Sequence, residues 1–227
     1  MLKANLTADE NVIIRVIADN LATMGLYEVV NRHSLSTLGF GEWCRQNREV
    51  LTYLNLKTDS GSTKLVFFCD DLPNWVIKIP LIFNQYTSEG CKQLTDYCEA
   101  EALVYEDAVK FELASYLAPM YYFDTIHNLP IYLQRKVVCD ESLNEDAFYN
   151  HCSKEMCKED YEDEDDYWAD IADSVEYMED ADRLYAIFGD DADALVRFFE
   201  DRYINDFHAA NFGTYNNYPV VIDYSGY

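Results

Sequence analysis

Between Glu155 and Asp182 the chain carries 14 acidic residues and a single basic one, Lys158. An ionised carboxylate buried without a partner is prohibitively costly, so the acids of this stretch are expected to face solvent. It supplies about half of the formal net charge of −25, which arises from 17 Lys+Arg against 42 Asp+Glu. The stretch is not simply low complexity. Trp168, Ile171, Val175, Met178 and Tyr185 recur at helical spacing, which predicts an amphipathic helix with an acidic outer face. A solvated face is the plain expectation; a surface for a basic partner is the alternative.

The remainder has ample material for a core. Of 227 residues, 49% are apolar and 15% aromatic, which excludes a disordered acidic tail and suits one domain or two small lobes. No apolar run approaches the ~20 residues that a membrane span needs, and no basic-then-apolar leader opens the chain. The expectation is a soluble, cytoplasmic protein without a membrane partner. The charge disfavours direct DNA or RNA binding, because phosphates would be repelled. Basic partners, or proteins that themselves bind nucleic acid, are favoured instead. The seven cysteines are scattered and odd in number, with no paired C-x-x-C knuckles. His151, Cys152 and Cys157 lie close enough to share a metal in principle, but buried or idle thiols in a reduced compartment are the simpler expectation.

Thr7 followed by Glu10 reads as a capping box, with Val12, Ile13, Val16, Ile17 and Leu21 as a helical stripe behind it. A second helix is expected over about 40–53, so that 1–56 forms a helical extension. The texture changes at Lys57. Thr58 to Ser62 reads as a turn, Leu65 to Phe68 as a strand, Asp70 to Asn74 as a second turn and Trp75 to Ile79 as another strand. A helix follows over roughly 88–111, with Leu94, Cys98, Glu101, Tyr105 and Ala108 on one face. Glu101 on that apolar stripe demands a positive partner. Two β-like segments, Met120 to Asp124 and Ile131 to Val138, flank a His127-Asn128 turn, and a further helix is expected over about 191–203.

The last 24 residues carry the chemistry. Asp206 and Asn211 fall in a loop just after that helix, and Asp223 ends an apolar strand twelve residues beyond Asn211. Two carboxylates and an amide on a short loop and hairpin can converge on a hard cation such as magnesium, which prefers oxygen ligands. Phosphoryl transfer from ATP requires such a set.

Here the sequence resembles the protein-kinase-like superfamily. Asp206-Phe207-His208-Ala209-Ala210-Asn211 has the D-x-H-x-x-N form of the catalytic loop in aminoglycoside and choline kinases and in several bacterial and phage kinases. Ile222-Asp223-Tyr224-Ser225-Gly226 stands where that family has D-F-G, and Trp75-Val76-Ile77-Lys78 looks like its ATP-lysine strand. With Leu72-Pro73-Asn74 before that strand, the segments are most similar to the short serine/threonine kinases of bacteriophages. The resemblance spans roughly 57–227.

It implies an α+β, two-lobe fold: a small antiparallel-sheet N-lobe over 57–138 and a minimal, mostly helical C-lobe over 139–227 that includes the acidic insertion. Lys78 would hold the α/β-phosphates of ATP, positioned by Glu101, with Glu99 as the alternative acid. Gly61 and Ser62 would belong to a reduced phosphate-covering loop. The segment Leu133 to Val138, with Gln134 inside it, would be the hinge that meets adenine through its backbone. Asp206 would accept or orient the substrate hydroxyl proton, Asn211 and Asp223 would bind Mg2+, and His208 would support the loop by hydrogen bonds. A G-x-G-x-x-G loop is absent, and four residues follow Asp223, with no activation segment or A-P-E motif.

Three functions fit these residues. The first is an ATP- and magnesium-dependent kinase acting on Ser/Thr of a basic, host-cell protein, in the host cytoplasm if phage-encoded. The second is a kinase for a small hydroxyl-bearing molecule. The third is a non-enzymatic acidic binder, either a pseudokinase or a DNA mimic that blocks a nucleic-acid-binding protein.

Overall fold

Thr7 starts the first helix as its spacing predicts. Its hydroxyl accepts the N–H of Glu10 at 3.1 Å, while the Glu10 carboxylate accepts the N–H of Thr7 at 2.8 Å, so two helix-end donors are satisfied reciprocally. The computed structural model describes residues 1–30, 37–61, 63–81, 85–87, 90–92 and 96–225. It opens with α1 (Ala8–Thr23), α2 (Leu26–Val30), α3 (Thr37–Gln46) and α4 (Arg48–Tyr53). The helix expected over 40–53 is therefore two helices, parted at Asn47, whose side-chain amide donates to the carbonyl of Trp43 at 2.9 Å. On α1 the buried face is Ile14, Ile17, Ala18 and Leu21, whereas Val12 and Val16 are 60% and 48% exposed. The apolar arc of this helix is wider than the surface that covers it.

The chain continues with β1 (Leu56–Ser60), β2 (Lys64–Cys69), β3 (Trp75–Pro80), β4 (Gln85–Thr87), β5 (Gly90–Lys92), α5 (Tyr97–Lys110), β6 (Met120–Ile126) and β7 (Leu129–Arg135). Five of the strands form an antiparallel sheet in the order β1-β2-β3-β7-β6. Two local expectations are corrected. Residues 58–60, expected in a turn, pair with β2 as an edge strand. Pairing outweighs their weak strand propensity because only Leu56 of β1 is buried and its polar side chains stay wet. The helix expected from about 88 begins only at Tyr97, after the β4–β5 hairpin. The His127-Asn128 turn does form, and both residues have positive φ (47° and 65°), as a tight two-residue hairpin turn demands.

Strand alternation gives the sheet two distinct faces. Phe67, Ile77 and Leu133 lie in register and share one core with Ile14, Ile17, Leu21, Phe40 and Trp43. The helices of 1–56 are thus a layer covering one face. The opposite face presents Val66, Lys78 and Tyr132 in register, and α5 packs near β3 and β6. With both faces covered, every residue of β3 is buried.

The chain divides into two compact units, residues 1–110 with 119–136, and residues 111–118 with 137–227. The second contains α6 (Glu141–Glu155), α7 (Glu164–Glu176), α8 (Asp180–Phe188), α9 (Ala192–Glu200), β8 (Phe212–Tyr215) and β9 (Tyr218–Val221). Its interior is aromatic: Phe212 contacts Phe148, Phe188 and Phe207 at ring-centroid distances of 6.0, 6.2 and 6.2 Å. In the acidic stretch α7 is amphipathic, but Tyr167 rather than Trp168 joins Ile171 and Cys152 in its small core. Trp168 is 47% exposed. The phase set by Tyr167, Ile171 and Val175 leaves Trp168 on the flank. No helix of the described residues is long and apolar enough to cross a membrane.

Candidate functional site

Lys78 sits mid-sheet, opposite Val66 on β2 and Tyr132 on β7, so it is no edge residue. Residues two apart in a strand share a face, which puts Lys64 beside it. From α5, Glu101 meets both: Lys64 Nζ donates to Oε1 at 2.7 Å and Lys78 Nζ donates to Oε2 at 3.0 Å. The three residues are 3%, 5% and 0% exposed. The positive partner demanded by Glu101 is therefore present, in duplicate, whereas Glu99 is exposed. Lys64 was not anticipated. Its signal was available in the hairpin register, since a strand pairing Val66 with Lys78 places Lys64 on the same face.

Each desolvated ion costs several kcal/mol, and packed apolar residues would often serve stability as well. A buried lysine–glutamate cluster is therefore a place to look for chemistry. A second tie lies nearby. Asp96 accepts the N–H of Glu99 at 2.8 Å at the start of α5, and its other oxygen accepts Tyr132 O–H at 2.8 Å. Burial raises the Asp96 carboxyl above its usual range, against the lowering effect of those two donors. Burial, then the Asp96 charge, likewise raises the Tyr132 phenol. The Cys98 thiol, fully buried, is pushed well up by desolvation first and by the Glu101 charge second.

The other first-unit candidates are placed as follows. Gly61 is exposed, donates its N–H to the carbonyl of Lys64 at 3.1 Å, and would meet no atom within 4 Å if given a Cβ. Protein packing does not require glycine there. Ser62 lies outside the described residues. Gln134 is 2% exposed and paired with Val76 on one side and Met120 on the other. Much of the main chain expected to serve adenine is engaged: the N–H groups of Arg135 and Lys136 donate to Pro119 and Asn74 at 2.9 and 3.0 Å, and that of Val138 to Thr214 at 3.1 Å.

In the second unit the loop after α9 is tightly held. Asp206 has φ +77°, in the left-handed region that aspartate enters more readily than most non-glycine residues. Asp180, the first residue of α8, holds the turn. One carboxylate oxygen accepts the N–H of Asp206 at 3.2 Å, the other that of Phe207 at 2.9 Å. Asn211 closes the loop by donating its side-chain N–H to the carbonyl of Asp206 at 2.6 Å. Asn144 on α6 brackets the same turn, donating to the carbonyls of Ala209 and Phe212 at 2.8 and 3.1 Å. The carbonyl of Asn211 accepts the N–H of Ile222 at 2.8 Å, which sets Asp223 one residue from that bond. Ser225 Oγ donates to Asp223 at 3.2 Å, and buried Tyr224 donates its hydroxyl to the carbonyl of Ala118.

His208 supports the loop, but through its backbone. It is exposed, its ring makes no hydrogen bond among the described residues, and it supports the loop through its carbonyl, which accepts the N–H of Asn211 at 2.9 Å. Asp180 and Asn144 were not foreseen. Nothing in the sequence separates Asp180 from the acids around it.

The donors suit magnesium by type. With the Asn211 nitrogen engaged, its amide oxygen is the atom suited to a cation, and Asp223 adds carboxylate oxygen. Among the described residues no three His, Cys, Asp or Glu side chains converge as a metal site, including the His151, Cys152 and Cys157 neighbourhood. A magnesium ion on Asn211 and Asp223 would thus draw its other ligands from water and phosphate oxygens. Compared with protein-family models, with curated proteins and with solved structures, the chain has no match.

Proposed function

We propose that the chain is a protein-kinase-like phosphotransferase that moves a phosphoryl group from ATP to a Ser/Thr hydroxyl of a basic protein. The observation that carries this reading is the buried Lys78–Glu101 pair at 3.0 Å, which places a lysine on a central strand against an acid of the following helix. In this reading Lys78 binds α/β-phosphate oxygens, with Glu101 fixing its ammonium. Asp206 receives or orients the hydroxyl proton. Asn211 and Asp223 hold magnesium, which when bound neutralises charge on the transferring phosphate. The resemblance to short bacteriophage kinases belongs to the same proposal, as does a host-cell setting.

The test is thermal melting with and without ATP plus magnesium, for wild type and Asp223→Ala. At nucleotide far above its dissociation constant, wild type gains on the order of several degrees and Asp223→Ala does not. Transfer of labelled phosphate to a basic protein is then lost in Asp206→Asn. No shift in wild type sinks the reading. A non-enzymatic acidic binder is the second reading, favoured by the exposed acids of α7 around half-exposed Trp168. It requires binding to a basic target that is indifferent to Asp223→Ala.

A further inference from the structure

A groove of about 560 Å³ opens in the second unit, lined by residues of α8 and α9 and by Tyr203, Ile204, Asn205 and Phe207 of the chain that follows. Its floor is apolar, formed by Leu184, Phe199 and Phe207, each at most 2% exposed. Its rim carries the exposed carboxylates of Glu179 and Glu200, and no lysine or arginine lines it. Tyr203 stands at the same rim, 87% exposed, with φ +55°. That backbone is the left-handed end of a helix cap: the N–H groups of Tyr203 and Ile204 donate to the carbonyls of Glu200 and Phe199, both at 3.0 Å, which leaves the Tyr203 ring in solvent at the rim. The groove wall runs through Ile204 and Asn205 directly into Asp206.

We propose that this groove is the docking site for the acceptor protein: an extended segment with an apolar side chain on the floor and Lys/Arg against the rim, next to the phosphorylated hydroxyl. This rests on the kinase reading above and adds where and by what chemistry the acceptor is held. The floor rewards burial of a leucine- or methionine-sized side chain. The two rim carboxylates select for cations, and the open face of Tyr203 stacks on a guanidinium. Asn205 and Phe207 of the lining flank Asp206 in the chain, so a docked segment need extend only a few residues, at no more than ~3.6 Å each, to reach that loop.

The probes are two fluorescein-labelled heptapeptides with a central serine. One carries two arginines and a leucine beside the serine; the other has glutamates in place of the arginines. Fluorescence polarisation with the full chain is expected to detect the arginine peptide and not the glutamate peptide. Glu200→Lys and Tyr203→Ala, both at exposed positions, are each expected to weaken the arginine peptide fivefold or more. Glu49→Lys, an equal charge change on α4 in the first unit, is expected to weaken it less than twofold. Equal binding of both peptides, unaltered binding in the two groove variants, or equal weakening by Glu49→Lys overturns the proposal. If the peptide binds as described but its serine accepts no phosphate from ATP, the groove stands as a docking site and the kinase reading fails.

Discussion

Asp180 accepts the backbone N–H of Phe207 at 2.9 Å, and through its second oxygen it takes the neighbouring N–H of Asp206. One carboxylate at the start of a helix thus fixes two consecutive peptide units of a loop 26 residues further along the chain. Asparagine has a single acceptor oxygen and can keep one of these bonds; alanine keeps neither. Asp180→Asn is expected to cost about 1–2 kcal/mol and Asp180→Ala more, since hydrogen bonds to charged groups are the stronger kind. Amide hydrogen exchange checks this at the residues concerned. The Asp206 and Phe207 amides should exchange faster in both variants, most in the alanine one, while the amides of β3 stay unchanged.

Glu101 is held by two ammonium groups, and this sets an order among substitutions. Glu101→Ala leaves both lysines without the carboxylate and is expected to cost about 3–5 kcal/mol. Lys64→Met and Lys78→Met each leave the carboxylate one of its two lysines, so each should cost less than Glu101→Ala. Urea denaturation of the three variants tests the order. A Lys64→Met variant as stable as wild type would show that the second lysine contributes nothing.

Gly213 is the second residue of β8, paired with Val220 just beyond the Asn211 loop. A Cβ there would lie 2.9 Å from Ile222 Cδ1 and 3.0 Å from both Val137 Cγ2 and the Val138 carbonyl. Gly213→Ala is therefore expected to destabilise by about 1–3 kcal/mol. It should also disturb the Asn211–Ile222 bond that positions Asp223, so magnesium-dependent stabilisation by ATP should fall with it. Gly61→Ala, facing open space, should leave the melting temperature within a degree or so.

The Asp96 carboxyl is raised above its usual value of 3.8 by burial. A folded-state pKa above the unfolded one contributes stability that is complete below the unfolded pKa and is lost as pH rises through the folded value. Stability should therefore carry a falling component from pH about 4 upward through that raised value. Asp96→Asn removes the titration, and the difference between wild-type and variant stability should depend on pH only in that window. A pH-independent difference would show that Asp96 titrates alike in both states.

The sequence exposed some of these features and hid others for physical reasons. Glu101 was legible because an acid on an apolar helical stripe breaks a simple pattern and names its own requirement. The Thr7–Glu10 box and the His127-Asn128 turn were legible because both are local chemistry. The edge strand β1 was hidden because its composition is that of a turn, although its partner β2 is the next strand in the chain. Lys64 required the β2–β3 register before its face could be known. Asp180 was hidden by abundance, one acid among the 14 between Glu155 and Asp182. His208 was expected to support the loop by hydrogen bonds, and it does so through its carbonyl, an atom that every residue has and that no motif singles out.

The layer of helices over the sheet has a consequence for how the chain can be made. Synthesis proceeds from the N-terminus, so α1 to α4 leave the ribosome before any strand of the sheet exists. Their apolar faces are then available when Phe67 and Ile77 emerge, and the central hairpin need not wait in water for a cover. A fragment beginning at 57 would lack that shelter throughout its birth. Phe67, Trp75 and Ile77 would meet other copies of themselves first, and such a fragment should be recovered from cells as aggregate.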